Sequence, residues 1–566
     1  MSWAVDLGNT HTRVARWNGE RGLPELVELP TICRVPGGNE PMAAPRLVPT
    51  ATEVLESRDL RTRLGRWPVI RSLAFLGQRA IIGRPALERN MALESPDFVP
   101  NFKSYLGRRA LEVLARTPSR TWTAREVAEV FLWELLAAVD RHTGERIREL
   151  VITTPVHAFE SYRAELQTLA QRLGIRSLRF VDEPVAAALG YGLSVGSEKR
   201  VLVVDFGAGT LDLALVGLDP QGVERGEARV LAKDGQELGG KDVDRWLLEA
   251  LIAPFGVDAG ALDDAAGRPL GDRAAFWRQE MLAEARRVKE ALFFDEWTFF
   301  QFRHPPGQGP ARPGLEDAPE QVHRQALQQV LEEHRVVERV EEAIERVLEA
   351  AAEDDPGSAE VDEVLLVGGS TLLPGVYERV EELFGRSRVR AWEPFEAVAL
   401  GGCVLSAGRF AQSDVIFHDY AFVTHDPETH EPKTTVIAPA GTRVPTADRL
   451  WTGRVVPTCA LGDVETLFKL VICEVATPRE GARFVRDRHG GLRTAASTEK
   501  SGPVVVPLNE SEPFLGRLDP PHEPSDRKPR LELAFAVDAD RWLRATVDDL
   551  KTGRRLVDSQ QVMRLV

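Results

Sequence analysis

Cysteine is scarce in this chain. Its four copies, Cys33, Cys403, Cys459 and Cys473, lie far apart. That excludes a disulfide framework and the paired spacings of a structural zinc site, and it fits free thiols in a reducing compartment. No apolar run approaches the ~20 residues of a membrane-crossing helix. The opening MSWAVDLGN enters a strand pattern at once, with neither the basic start nor the apolar core of a secretion signal. Positive charge is in deficit too: 71 lysines and arginines face 86 aspartates and glutamates, a net charge of −15, which argues against steering towards nucleic acid. The phosphate loop GxxxxGK[ST] is missing. These absences leave an expected cytoplasmic protein without membrane or nucleic-acid partners. The apolar fraction, 43% of 566 residues, is ordinary for a globular chain of several domains.

Order along the length is what the chain does contain. Up to residue 410, short β-like apolar runs (LVITT at 150–154, VLVV at 201–204, VLLV at 364–367) alternate with helix patterns at 124–139, 283–294 and 327–352. Such alternation argues for layered α/β architecture. HPPGQGPARPG at 304–314 reads as a surface insertion. From 434 onward helix periodicity fades. Short alternating strands take over, as in LELAFAVDADRWLRATVDDL at 531–550, which reads as an all-β domain with a polar, proline-rich loop at 518–529. The two styles meet at SDVIFHDYAF, 413–422, where Asp414 and Asp419 bracket Val415, Ile416 and Phe417. An exposed linker should be polar, so this one is expected to dock. The boundaries expected are 1–410, a linker at 411–422, and 423–566.

Two stretches, AVDLGNTHTRVARW (4–17) and VVDFGAGTLDLALV (203–216), are nearly one phrase written twice. Each gives a strand, Asp-x-Gly, small polar residues, then a returning strand, a hairpin suited to face phosphate. Gly8, Gly207 and Gly209 let the backbone turn and approach a ligand. N–H groups around Asn9, Thr10, His11 and Ala208 form an anion nest. The hydroxyls of Thr10, Thr12 and Thr210 add hydrogen bonds. Asp6 and Asp205 would repel phosphate, but they can hold a hydrated Mg²⁺ that bridges to it. Two such hairpins face to face would grip one polyphosphate, which accounts for the repetition: two similar domains with a nucleotide between them.

These phrases resemble the two phosphate motifs of the heat-shock-protein-70 (DnaK-type) chaperone family, within the actin-like ATPase superfamily. VDEPVAAALGYGL (181–193) is similar to the connecting motif, VDEVLLVGGSTLLPGV (361–376) to the adenosine motif, and LGGKDVDRWL (238–247) to a further nucleotide segment. FKSYLGRR (102–109), ITTPVHAFESYR (152–163), SDVIFHD (413–419) and TTVIAPAGTRVPT (434–446) resemble its catalytic-lysine, proline-switch, linker and β-domain segments. The resemblance implies a two-lobed actin-like ATPase with ribonuclease-H-like subdomains, followed by a β-sandwich. It implies ATP/ADP and Mg²⁺ as ligands, with Lys103, Glu183, Asp205 and Thr210 as catalytic residues and Asp6 and Asp205 holding the metal through water. Nucleotide contacts are implied at Gly239, Gly240, Arg286, Lys289, Glu290, Gly368, Gly369, Ser370 and Leu372. Pro155, Arg163 and the linker residues Asp414, Val415, Ile416 and Phe417 would couple nucleotide to peptide.

Departures mark a divergent member. With Lys289 aligned to the family lysine, Arg286 stands where Glu is usual, Glu290 where Arg is common and Phe293 where Ser is usual. Leu372 and Phe395 replace a usual Arg and Asp, and His418 an apolar linker residue. The chain ends at Val566, just after the β domain, so a lidless form is expected. The function implied is a chaperone ATPase that couples Mg-ATP turnover to binding of a client polypeptide. It would act as a monomer, with a J-domain co-chaperone and a nucleotide exchange factor as further partners. The alternative is a nucleotide-responsive adaptor that does not hydrolyse ATP and binds one specific partner. A sugar kinase or a filament-forming protein of the superfamily would leave the β domain and linker without a place.

Overall fold

In this computed structural model the residues described are all except 1, 34–45, 56–77, 91–94, 108, 157, 159, 193–196, 219–226, 257–272, 304–318, 355–359, 391–395, 408–410, 417, 426–431, 458–463, 477–481, 487–491, 497–503, 510–513, 539–540 and 566. The expected insertion at 304–314, Phe395 and Phe417 therefore lie outside the described residues. The chain divides into two units. The first comprises 1–157, 165–228 and 233–411; the second comprises 158–164, 229–232 and 412–566.

In the first unit the repeated phrase becomes a repeated sheet. Trp3–Leu7 and His11–Asn18 form an antiparallel hairpin. Glu149–Thr154 lies parallel to Trp3–Leu7, Ser177–Asp182 lies parallel beyond it, and Leu23–Leu26 runs antiparallel to His11–Asn18. The second hairpin, Lys199–Phe206 with Leu211–Leu218, repeats this plan. Glu363–Val367 lies parallel to Lys199–Phe206, and Val389–Arg390 parallel beyond it. Trp3–Leu7 and Glu363–Val367 are buried at every residue. Strands covered on both faces read as continuous apolar runs, which is why VLVV and VLLV were legible without any alternation.

Helices supply that cover. Glu183–Gly192 and Ala397–Ser406 cross with their backbones touching: a Cβ on Gly401 would stand 1.6 Å from the Ala186 carbonyl oxygen, and one on Gly190 3.0 Å from that of Ala397. Gly402 brings the second helix onto Ala4 and Thr153. Ala124–Thr143 starts at a capping box between Thr123 and Glu126 and stops at Gly144 in the left-handed region. The stripe expected at 327–352 is two helices, Arg324–Glu333 and Val336–Asp354. They break at His334 and Arg335, the latter at φ 52°. Apolar spacing continues across the break, with Leu327, Val330 and Leu331 buried before it and Val340, Ile344 and Val347 after it, so the pattern alone read as one helix.

Among the described residues the second unit is built of strands apart from the segment 158–164. One sheet orders Pro432–Ala438, Asp419–His425, Ile472–Ala476 and Val504–Pro507; another orders Trp451–Val455, Leu531–Val537, Trp542–Asp549 and Arg554–Arg564. Its core gathers Tyr420, Phe422, Ile437, Phe468, Leu533, Phe535, Leu543 and Val547. Trp542–Asp549 alternates strictly between half-buried and buried, the period-2 signature of a strand with one covered face. Arg530 and Asp549 form a fully buried ion pair, Nη2 to Oδ2 3.1 Å. The loop expected at 518–529 begins later, because Phe514–His522 is a strand. The first linker residues form the strand Ala411–Val415, with Asp414 opposite Val444 and Val415 opposite Arg443. Val415 and Ile416 are buried, and Ile416 exchanges backbone hydrogen bonds with Thr442 and Gly441. Among the described residues no helix is long and apolar enough to cross a membrane.

Candidate functional site

The two hairpins place their aspartates at the same register. Asp6 lies opposite Arg13 across the first hairpin, and Asp205 lies opposite Asp212 across the second. Opposite residues on a pleated pair meet, so one hairpin pairs unlike charges and the other like charges. Arg13 Nη1 donates to Asp6 Oδ2 at 2.8 Å, and Thr153 Oγ1 donates to Oδ1 at 3.0 Å. Asp212 is buried and accepts from the Val156 backbone N–H at 2.8 Å. Arg13, Thr153 and Asp212 went unmarked in the sequence, although the hairpin register, counted from either aspartate, points to positions 13 and 212.

A buried ion pair interacts electrostatically with these acids. Lys103, in the short turn Lys103–Tyr105, places Nζ 2.7 Å from Oε1 of Glu183, the first residue of its helix. Both are buried, as are Asp6, Asp205 and Asp212. Burial pushes the Glu183 carboxyl up to about 7; the Lys103 ammonium opposes this, and Asp212 and Asp6 reinforce it. Asp205 is pushed well above the usual carboxylate range by burial and then by Glu183, Asp212 and Asp6. A buried set of acids that disfavour one another's ionisation calls for cations. Among the described residues no three acidic, histidine or cysteine side chains gather to ligate a metal directly. Carboxylates are hard oxygen donors, and Asp6 and Asp205 fit an ion such as Mg²⁺ held through its waters.

Glycines bring the remaining segments against the second hairpin. A Cβ on Gly239 would stand 2.4 Å from the Gly209 nitrogen, and one on Gly368, at φ +85°, 2.4 Å from the Phe206 carbonyl oxygen. Gly240 and Lys241 donate backbone N–H groups to the carbonyls of Gly207 and Ala208, and Ser370 Oγ donates to Gly207. Gly369 lies in the same turn, Gly369–Leu372, as Ser370. Gly207 N–H closes the hairpin turn on the Thr210 carbonyl at 2.9 Å. In the first hairpin a Cβ on Gly8 would meet the His11 carbonyl at 2.2 Å. Thr10 Oγ1 is buried with no hydrogen-bond partner among the described residues, an orphan polar atom that suits a ligand oxygen. The Asn9 amide nitrogen lies 2.4 Å from where a Cβ on Gly209 would be. His11 is held down to about 3 by burial and by Arg13, Arg286 and Arg84, so it is a neutral ring at physiological pH.

The nucleotide contacts expected at Arg286, Lys289 and Glu290 are internally paired. Lys289 Nζ lies 2.7 Å from Asp244 Oδ1 and donates to the Gly240 carbonyl, while Arg286 pairs with Glu290 at 2.8 Å on the helix surface. Leu372 is exposed. Pro155 and Arg163 are both buried, the first in unit one and the second in unit two. Lys241 Nζ, also unmarked in the sequence, donates to Asn9 Oδ1 at 3.2 Å and Asn101 Oδ1 at 3.1 Å.

Two matched hairpins, a buried lysine and clustered acids thus gather in one α/β unit. Residues 76–455, well over half of the chain, match the family described as Hsp70 protein, and the chain belongs to that family. It is 26% identical over 513 residues, 85% of this chain and 73% of the relative, to the chaperone protein DnaK of one strain of Thermus thermophilus. The match to the chaperone protein DnaK of a second strain of the same species has the same extent. Family membership supports the general character of a chaperone ATPase.

Proposed function

We propose that this chain binds Mg-ATP between its two hairpins, in a two-lobed actin-like ATPase, and hydrolyses it to drive binding and release of polypeptide by the C-terminal β-sandwich. The observation that carries the reading is the buried Lys103–Glu183 pair among Asp6, Asp205 and Asp212. Transfer of a phosphoryl group to water needs positioning and charge neutralisation more than covalent chemistry. Lys103 meets negative charge developing on the γ-phosphate. Glu183 orders the attacking water and Thr210 donates to it. Backbone N–H groups around Gly8–His11 and Gly207–Gly209 hold the phosphates, and Gly239, Gly240 and Gly368–Ser370 admit the nucleoside. Asp6 and Asp205 would hold Mg²⁺ through its waters; the ion supplies neutralising charge to the phosphates. Pro155, Arg163 and the linker at Asp414–Phe417 are proposed to relay the state of the site to the β unit, where the client binds. A J-domain co-chaperone and an exchange factor would act on the ATPase part.

Steady-state ATP hydrolysis with Mg²⁺, with and without unfolded peptide, tests this. Turnover should rise with peptide and fall about 10²-fold or more in Lys103→Ala. The internally paired Lys289 and Arg286 and the exposed Leu372 favour a second reading, a nucleotide-responsive adaptor that does not hydrolyse ATP. ATP binding without turnover would select it.

A further inference from the structure

Every cation described so far at the site has a carboxylate partner except one. Lys103 pairs with Glu183, Lys289 with Asp244, Arg13 with Asp6 and Arg286 with Glu290. Lys241 is held by two neutral amide oxygens, of Asn9 and Asn101, and has no carboxylate within ion-pair distance among the described residues. An ammonium has three N–H groups, and these two bonds use two of them. The placement is costly in two further ways. Lys241 is the second residue of the helix Gly240–Ile252, where the helix dipole repels positive charge. Lys103 and Arg286 also bear on it: burial, then these two cations, hold its ammonium down to about 7, with Asp242 and Asp244 opposing. An ammonium whose direct partners are neutral oxygens, with no carboxylate in ion-pair contact among the described residues, suits an anion that arrives.

Position identifies the anion. Asn9 belongs to the first phosphate hairpin and its side chain reaches Gly209 of the second. Asn101 is two residues from Lys103. Lys241 therefore stands where both hairpins and the lysine turn converge. We propose that Lys241 is a phosphate-binding residue of this site, whose ammonium takes an oxygen of the nucleotide's β- or γ-phosphate and so favours nucleoside di- and triphosphates over monophosphate and nucleoside. This rests on the nucleotide-site reading above. Asn9 and Asn101 hold the ammonium on the phosphate path.

Affinities of the full chain for Mg-ATP, Mg-ADP, AMP and adenosine, compared with Lys241→Met and Lys241→Arg, test it. A charge-assisted contact predicts that Lys241→Met weakens ATP and ADP by about tenfold or more, leaves adenosine and AMP within about twofold of the unaltered chain, and that Lys241→Arg restores most of the loss. Equal weakening of all four ligands would mark a structural role and overturn the proposal. So would unchanged ATP affinity in Lys241→Met. Failure of the unaltered chain to bind any of the four would overturn the nucleotide reading itself, and this one with it.

Discussion

The acids of the site are raised in pKa, and that makes a stability argument. Glu183 titrates near 7 instead of 4.5, and Asp205 well above 3.8. Over that window the folded chain holds more protons than the unfolded one, so stability falls as pH rises through it. We expect thermal midpoints measured in metal-free buffer to drop between about pH 5 and 8. Asp205→Asn should flatten part of that drop, because its side chain never ionises. Mg²⁺ added at pH 8 should raise the midpoint of the unaltered chain by about 2 °C or more and should move Asp205→Asn much less. An Mg²⁺ effect of equal size in both would refute Asp205 as a metal-holding residue. At this scale the sequence was partly legible. Asp6, Lys103, Glu183 and Asp205 stand in short marked phrases, whereas Arg13 and Asp212 become visible only when strand register sets one residue opposite another. Lys241 carries no mark of its own in LGGKDVDRWL, and only three-dimensional placement shows what it faces.

At the scale of elements the strands carrying the aspartates were readable because burial on both faces removes every polar interruption. The single helix read at 327–352 failed for the opposite reason: apolar spacing persisted through a left-handed residue, Arg335, that no periodicity reveals. Helix contact is sharper still. Gly401 has no room for a Cβ, with the Ala186 carbonyl oxygen 1.6 Å from that position. Gly401→Ala should force the two helices apart and cost about 3 kcal/mol or more, seen as a lower denaturant midpoint with an unchanged far-ultraviolet helix signal before the transition. Because Glu183 opens one of these helices, the variant should also lose ATP turnover out of proportion to its loss of fold. A variant as stable and active as the parent would mean that the two helices slide apart at little cost.

At the scale of the whole molecule, each unit has its own core. The second centres on Phe535, fully buried among Phe422, Trp451 and other strand residues. Calorimetry should resolve more than one transition. Phe535→Ala should lower one of them by about 3–5 kcal/mol and leave the stabilisation by Mg-ATP on the other; a single transition shifted as a whole would refute separate cores. The expected division rests on helical and strand periodicities that differ plainly along the chain. The strand formed by Ala411–Val415 was not legible, since an apolar trio between acids says that it docks but not on what. The matched register of the hairpins carries one more consequence. A design that is copied can let its copies diverge in duty. The copy with Asp6 against Arg13 already meets part of its aspartate's charge from within. The copy with Asp205 against Asp212 sets two acids face to face, so under the proposed nucleotide reading it is the half of the repeated plan whose charge answers more to a visitor.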